Sequence, residues 1–397
     1  MRKYNELPLK GKVVFKRIDI NSPVEGGKVQ SNPRILAHAK SIAGLRDAGA
    51  KVVLLAHQGR AGEDDFIALE QHAKLLEKEL GTPVYYVDDV AGEKAQKAIA
   101  QLRDGEVLLL NNVRILPDET KSGSEVPEVV RALAPLGHYF ILDSLSVAHR
   151  SHASVVGFTN CLPSAAGKVL SDELEALKLM DGAENITFFF GGSKVEDSFR
   201  VMERWLASGR VNKILLGGAL SILFIYAQGH KIGESLDYLV KTDLVKHAEG
   251  AKKMLEKHKD KIVVPVDVGL NVLGKRVDCN VNEIDRGMIF DIGENTLLRY
   301  KEIILDSDFI FVNGPAGVYE QKEFEFGTRH VLETISRAPG FSLVGGGHTI
   351  TAIEKFKIPK EKFGYISLSG KALVEYLSGN ELPGLKGLRD NAGKFAI

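Results

Sequence analysis

Short unbroken apolar runs alternate along the chain with stretches whose apolar residues recur every three or four positions. VVFKRIDIN, residues 13–21, opens the series, and residues 52–56, 84–87, 107–110 and 139–142 continue it through the first half. Residues 186–190, 213–216, 262–266, 309–312, 341–344 and 365–367 are the runs of the second half. From residue 52 onward none of these runs alternates polar with apolar, so they predict strands buried on both faces. Between them lie helical patterns: Ile35, Ala39, Ile42 and Leu45 share one face, as do Leu69, Ala73, Leu76 and Leu80. Strand-helix alternation of this kind predicts βαβ units around a parallel sheet. It occurs twice, which predicts an α/β protein of two doubly wound (Rossmann-like) parallel-sheet domains.

A length of 397 residues also exceeds what one ordinary core supports. Residues 170–180 form a helical pattern with no strand before residue 186, so the connection is expected there, as a hinge over 168–183. The expected division is 1–168, 169–374 and a tail, 375–397. The final stretch, ELPGLKGLRDNAGKFAI, has no strand signal and two loop-like glycine stretches, and is expected to pack back on the N-terminal domain. The charged segment 249–260 is expected as a solvated helix.

Composition narrows the class. Hydrophobic residues make up 44% and charged residues 26%, the profile of a folded globular chain. The 52 basic residues equal the 52 acidic ones, so no global field draws nucleic acid or an anionic membrane, and any anion site must be local. Cys161 and Cys279 give neither a disulfide framework nor a zinc spacing, which fits a reducing cytoplasm. The first twelve residues lack the apolar stretch of a signal peptide, and the longest apolar candidate, residues 215–226, is too short to span a bilayer. The expected location is cytoplasmic, with no membrane and no nucleic-acid partner.

In open α/β sheets ligands bind beyond the carboxyl ends of the strands. In the first half those ends are mostly cationic: Arg17, Asp19 and Asn21, then His57 and Arg60, then Arg114, then Asp143, His149, Arg150 and His152. Arg34 follows Ser31, Asn32 and Pro33, which read as a helix N-cap and first position. A cation there faces the positive end of the helix dipole, and a bound anion would account for it. Any one of these cations could be an ordinary surface charge. Five segments sharing the pattern, four at strand ends and one at a helix start, point to a phosphate or carboxylate site, because the guanidinium fork matches those oxygens. His38, His72 and His138 lie elsewhere and carry no such signal.

In the second half the strands end in glycine. The segments are Gly191-Gly192-Ser193-Lys194, Gly217-Gly218, Asn313-Gly314-Pro315 running on to Glu320, Gly345-Gly346-Gly347-His348-Thr349, and Ser369-Gly370-Lys371. Glycine permits close backbone approach, and amides at a helix start hold phosphate. Each glycine alone could simply make a tight turn; five such ends in one half point to a nucleotide. Neither GxxxxGK[ST] nor GxGxxG with a downstream acid occurs, so the P-loop and dinucleotide fingerprints do not apply. No all-protein metal cluster is visible.

The segments RIDINSPV, NPRI, GAKVVLLAHQGR, VLLLNNVR, AHRSHAS, GGSKVED, NGPAGVYE, FGT, VGGGHT and LSGNELPG occur in order along nearly the whole chain. In these the chain resembles the phosphoglycerate kinase family, with wording nearest its archaeal members. The resemblance implies reversible phosphoryl transfer between ATP and the carboxylate of 3-phosphoglycerate, giving 1,3-bisphosphoglycerate and ADP. It implies that Asp19, Asn21, Arg34, His57, Arg60, Arg114 and Arg150 bind phosphoglycerate in the N-terminal domain. It implies that Arg34 and Lys194 carry the chemistry, one from each domain, with domain closure for direct transfer. Gly192, Lys194, Gly217, Gly218, Asn313, Glu320, Gly345, Gly346, Gly347 and Thr349 would line the nucleotide site. Mg²⁺ would arrive with ATP or ADP. The chain would act as a monomer or a homodimer.

Five departures stand out, the first being NNVR at residues 111–114 where the family has ENVR. Ser198 occupies the place of a second family lysine, and His348 that of an acid after the glycine run. Residues 367–372 read SLSGKA where the family has STGGGA, and LDSLS replaces NDAFG before the AHR segment. Lys371 is therefore a candidate for the missing positive charge. Two alternatives follow from these changes: a kinase of the same fold acting on another phosphorylated acid, or a catalytically silent nucleotide-binding paralogue.

Overall fold

The computed structural model describes residues 1–121 and 125–395. The chain divides into two compact units, Met1–Leu174 with Asn380–Ile397, and Glu175–Gly379. The segment expected as a hinge is an α-helix, Lys168–Lys178, continued by a 3-10 turn over Leu179–Gly182. Among the described residues no helix is long and apolar enough to cross a membrane.

The strands of unit 1 are β1 (Val13–Arg17), a short ribbon of β2 (Val24–Glu25) and β3 (Lys28–Val29), β4 (Lys51–Leu55), β5 (Val84–Val87), β6 (Val107–Leu110), β7 (Tyr139–Leu142) and β8 (Ser164–Ala166). Six of them form a parallel sheet in the order β5-β6-β4-β1-β7-β8. All five residues of β1 are buried, as a strand covered on both faces requires. Val14, Ile35, Ile42, Leu54, Leu109 and Ile141 meet in the core between sheet and helices. β8 has no counterpart among the apolar runs, because its Ser-Ala-Ala sequence is too short and too weakly apolar to register.

Two features hold unit 1 together below the site. Lys16 points into the core, where its Nζ lies 2.8 Å from Asp143 Oδ2 and donates to Ser41 Oγ at 2.6 Å. Burial opposes ionisation of Asp143, but Lys16 and His38 outweigh it and hold the carboxyl below its ordinary range. The tail corrects the loop reading: it is an α-helix, Pro383–Lys394, docked on unit 1. Its glycines serve approach rather than turning, since a Cβ on Gly384 would stand 2.8 Å from Leu142 Cδ2 and 3.0 Å from Ala148 Cα. Asn391 fastens this helix: its Oδ1 accepts from Ser164 N at 2.8 Å, and its Nδ2 donates to Thr159 O at 2.7 Å and Leu162 O at 2.8 Å.

Unit 2 contains β9 (Ile186–Phe190), β10 (Lys213–Leu216), β11 (Ile262–Val263), β12 (Asp267–Val272), β13 (Lys275–Asn280), β14 (Met288–Ile292), β15 (Phe309–Asn313), β16 (Phe341–Gly345) and β17 (Tyr365–Ile366). Its parallel sheet has the order β11-β10-β9-β15-β16-β17. The run expected over 262–266 is a strand for only its first two residues. A three-stranded antiparallel sheet, β13-β12-β14, was not expected from the sequence. The charged segment is a helix, Ala248–His258.

Candidate active site

In each parallel sheet the strand order reverses once beside the first strand, between β1 and β7 in unit 1 and between β9 and β15 in unit 2. Chain connections leave in opposite directions there, and the loops beyond the strand ends part to form a crevice.

In unit 1 the loop after β1 supplies Asp19 and Asn21, and the segment after β7 supplies Ser146 and Arg150. Asp19 is buried and tied down from several sides. The Ser146 hydroxyl donates to its Oδ2, its Oδ1 accepts from Asn21 N at 3.1 Å, and its own N–H donates to His38 Nε2 at 3.2 Å. Arg34 enters from the first turn of the helix Pro33–Asp47, which Asn32 caps by accepting from Arg34 N at 2.9 Å. Arg34 Nη1 reaches Asp19 Oδ2 at 3.4 Å and donates to Asn21 O at 3.3 Å. Burial opposes ionisation of Asp19, but Arg34, His57 and the Ser146 hydroxyl outweigh it and keep the carboxylate charged.

The other cations converge on this point. Burial and Arg17 hold the His57 imidazole well below its usual pKa, with Arg114 and Arg150 adding to the effect. Burial, Arg150 and Arg17 push Arg114 down to about 10. Arg150 is depressed by burial and by Arg60 and Arg34, while Asp19 acts the other way. Burial and Arg150 hold His152 down at about 4. Mutual depression of this kind requires the cations to be neighbours, and it leaves a local excess of positive charge that an anion would relieve. Arg60 is the outermost, with a side chain 73% exposed and its Nη1 3.9 Å from Glu63 Oε1.

Arg17 is not at the surface. It is fully buried: its Nε donates to Ser154 Oγ at 2.8 Å, its Nη2 lies 3.1 Å from His57 Nδ1, and its Nη1 donates to Ile18 O. Ser154 in turn donates to Glu119 Oε1 at 2.7 Å. Arg17 therefore backs the site rather than lining it. Ser146, Ser154 and Glu119 were missed from sequence, since nothing local marks a hydroxyl or a distant acid as a support. His38 and His72 are buried hydrogen-bonding groups, as their lack of strand-end placement suggested.

In unit 2 four loops meet at the reversal. Gly192 N donates to Pro315 O at 2.8 Å, Gly218 N to Ala316 O at 2.7 Å, and Gly314 N to Thr349 Oγ1 at 2.8 Å. Gly218 has φ +54°, and a Cβ there would stand 2.5 Å from Gly192 N, so only glycine lets these loops cross. The amides of Gly192 and Gly218 are thus already donated to protein carbonyls, and these glycines shape the loops. Asn313 sits against the Gly345-Gly346 turn: a Cβ on Gly346 would lie 2.6 Å from Asn313 Oδ1. Gly347 opens the helix Gly347–Lys355.

These loops border a cleft of about 230 Å³. Its polar rim holds Gly192, Ser193, Gly218, Glu320 and His348. Its apolar wall is made by Ile222 and Tyr238, by Met288 and Phe290 of β14, and by Pro315 and Val318. Of the expected nucleotide residues, Gly192, Gly218 and Glu320 line this cleft, whereas Lys194, Gly217, Asn313, Gly345, Gly346, Gly347 and Thr349 are not among its lining residues. The apolar wall was missed: the helix Gly218–Ala227 read only as an apolar run, and β14 lay in a region with no buried-strand pattern.

The departures have structural counterparts. Ser198 is buried and donates to Lys194 O at 3.3 Å, so its position carries no charge toward the loops. His348 Nδ1 lies 3.9 Å from Glu320 Oε1 at the cleft rim. Among the described residues no three His, Cys, Asp or Glu side chains come together as a metal site.

Known proteins give the same picture. The family model for phosphoglycerate kinase matches residues 4–380. The phosphoglycerate kinase of Methanothermobacter thermautotrophicus is 40% identical over 398 residues, covering 98% of this chain and 96% of that one. That of Pyrobaculum aerophilum is 39% identical over 402 residues, covering 99% and 97%. The crystal structure of the enzyme from Pyrococcus horikoshii OT3 is similar with a TM-score of 0.90 at 34% identity, over 100% of both chains. That from Coxiella burnetii gives 0.86 at 30%, over 98% of this chain and 99% of its own. Family model, relatives and fold agree: this chain belongs to the phosphoglycerate kinase family, phosphotransferases with a carboxyl acceptor.

Proposed function

We propose that the chain carries out reversible phosphoryl transfer between MgATP and 3-phosphoglycerate in the cytoplasm, with unit 1 holding the acid and unit 2 the nucleotide. The carrying observation is the set of cations around Asp19: Arg34, Arg114 and Arg150, with Arg60 at the rim and the neutral His57 imidazole beside them. A small acid with a phosphate and a carboxylate relieves that excess charge, and guanidinium forks bind both groups.

In unit 2 the apolar wall of Ile222, Tyr238, Met288 and Val318 suits a purine, and Glu320 at the rim suits ribose hydroxyls. The phosphates then extend along the loops after β9, β15 and β16, toward Lys194. Mg²⁺ enters as part of the nucleotide substrate and keeps much of its water, so one or two protein contacts suffice. His348 offers nitrogen where Mg²⁺ prefers oxygen, so it is not assigned to the metal.

The chemistry asks little beyond placement and charge. The transferring group spreads negative charge over its equatorial oxygens, and fixed cations stabilise that distribution. Arg34 and Lys194 are assigned this role. A carboxylate acceptor is already ionised, so no general base is required. Calorimetric titration with 3-phosphoglycerate checks the unit 1 assignment: Arg150→Ala should weaken binding by about tenfold or more. Unaltered affinity in that variant would move the acid elsewhere.

A further inference from the structure

We infer that Asp291 and Arg276 are positioning residues of the cleft in unit 2: as an ion pair beneath its floor, they set the spacing between β14 and the loop of residues 314–320. The inference rests on the reading of this cleft as the nucleotide site and adds two residues to it.

Three strands, a loop and a helix start meet at this pair. Asp291 lies on β14, borders the cleft and is 2% exposed. Its Oδ2 accepts from Gly327 N at 2.7 Å, in the first turn of the helix Phe326–Ile335, and from Arg276 Nη1 at 2.8 Å. Arg276 comes from β13 and must cross the central strand β12 to reach it. Gly269 of β12 leaves the room, since a Cβ there would stand 2.6 Å from Arg276 Cζ. Arg276 Nη2 also donates to Ile292 O at 3.0 Å, and the guanidinium lies 5.2 Å from the centre of the Phe326 ring.

The loop closes on the carboxylate from the other side. A Cβ on Gly317 would stand 2.6 Å from Asp291 Oδ1, and one on Gly327 would collide with the same atom. Gly317 N donates to Thr328 Oγ1 at 3.2 Å, and Val318 N to Phe290 O at 2.8 Å, so the loop is laid along β14. Three glycines thus give way to one ion pair. Pro315, Val318 and Glu320 of the loop and Met288 and Phe290 of β14 line the cleft, so a change at Asp291 alters its width.

Charge makes the pair more than packing. Asp291 Oδ1 has no hydrogen-bond partner among the described residues, and burial pushes the carboxyl up to about 6 in spite of Gly327 and Arg276. A folded pKa above the ordinary ~3.9 means that ionised Asp291 costs stability as pH rises through that window, and a neutral residue would serve the fold better. Of the charged groups around it, Arg276 acts on Asp291 directly. Asp278 Oδ1 is bound to Arg276 Nη2 at 2.9 Å, Glu325 pairs with Arg329 and Lys355, and Glu320 on the loop faces His348. Below pH ~6 the carboxyl takes a proton, the ion pair is lost and the loop loosens from β14.

The test titrates ADP calorimetrically into full-length wild type, Asp291→Asn and Arg276→Gln between pH ~5.5 and ~7.5. Protonation of ADP itself affects all three alike. At the upper end Asp291→Asn should bind ADP about tenfold more weakly, and the gap should close as the wild type passes below pH ~6. In Arg276→Gln the fall in affinity should begin at higher pH, because the carboxyl has lost its cation. Asparagine keeps the shape and an acceptor for Gly327 N, so the melting midpoint at neutral pH should not drop. Affinity for 3-phosphoglycerate should be the same in all three proteins. Equal ADP affinities of wild type and Asp291→Asn at neutral pH would overturn the inference, as would a gap that stays constant with pH or an equal loss for 3-phosphoglycerate. Failure of the wild type to bind ADP would defeat the nucleotide reading itself, and the inference with it.

Discussion

Arg34 is where sequence, fold and chemistry meet. Asn32 and Pro33 start its helix, the helix delivers a half-buried guanidinium beside Asp19, and Asp19 is itself fixed by Ser146 and Asn21. Arg34→Ala should lower kcat by roughly 10²-fold or more, the usual cost of losing a charge-stabilising donor. The melting midpoint should hardly move, because neighbouring cations repel Arg34 as Asp19 attracts it. Wild-type turnover in the variant would remove Arg34 from the chemistry. His72 gives a residue-scale prediction about stability. Its Nε2–H donates to Gln58 Oε1 at 3.0 Å, an orientation set because the same Gln58 oxygen accepts from Ser22 N while its amide donates to Ser22 O. Burial holds this imidazole at about 4, against about 6.5 in an unfolded chain. The folded pKa is the lower one, so the unfolded state binds the proton first as pH falls. The stability that neutral His72 provides is complete above pH ~6.5 and fades toward pH ~4, by on the order of 3 kcal/mol. Urea midpoints measured across this range should fall less steeply for His72→Gln; identical slopes would contradict the assignment.

At the scale of elements, the tail helix is the clearest test. Asn391 makes three buried hydrogen bonds to backbone groups at Thr159, Leu162 and Ser164. Asn391→Ala should cost roughly 2–4 kcal/mol, since it strands buried backbone groups without partners. Urea unfolding measures this, and a change below the error of the method would show that the helix is held mainly by its apolar face. This helix was not legible in the sequence: Gly384, Gly387 and Gly393 suggested loops, and only the approach of Gly384 to Leu142 and Ala148 explains why a helix there needs glycine. The parallel strands were legible, because burial on both faces writes unbroken apolar runs such as residues 186–190. The sheet β12-β13-β14 was not, because β13 is largely exposed and its burial follows pairing that no local pattern records. The cationic strand ends of unit 1 could be read because each lies just after such a run. The apolar wall of the cleft in unit 2 could not, because helix Gly218–Ala227 and β14 are joined only by the tertiary fold.

For the molecule as a whole, one plan is used twice with opposite chemistry. Unit 1 places guanidinium and imidazole groups at its strand reversal, and unit 2 places glycine-rich loops and an apolar wall at its own. The balanced total charge means that the cationic crevice arises from local placement alone, so its affinity for a small acid should weaken with salt less than a surface patch would, given how much of it is buried. The central claim is that the acid held by these cations is the phosphoryl acceptor. Steady-state turnover of the purified protein with MgATP and 3-phosphoglycerate, followed by ADP release, tests it directly. The predicted result is ADP formation that requires 3-phosphoglycerate, at about 1–10³ per second, typical of enzymes. A folded protein that binds both ligands yet releases no ADP, or releases it equally without the acid, would contradict the account.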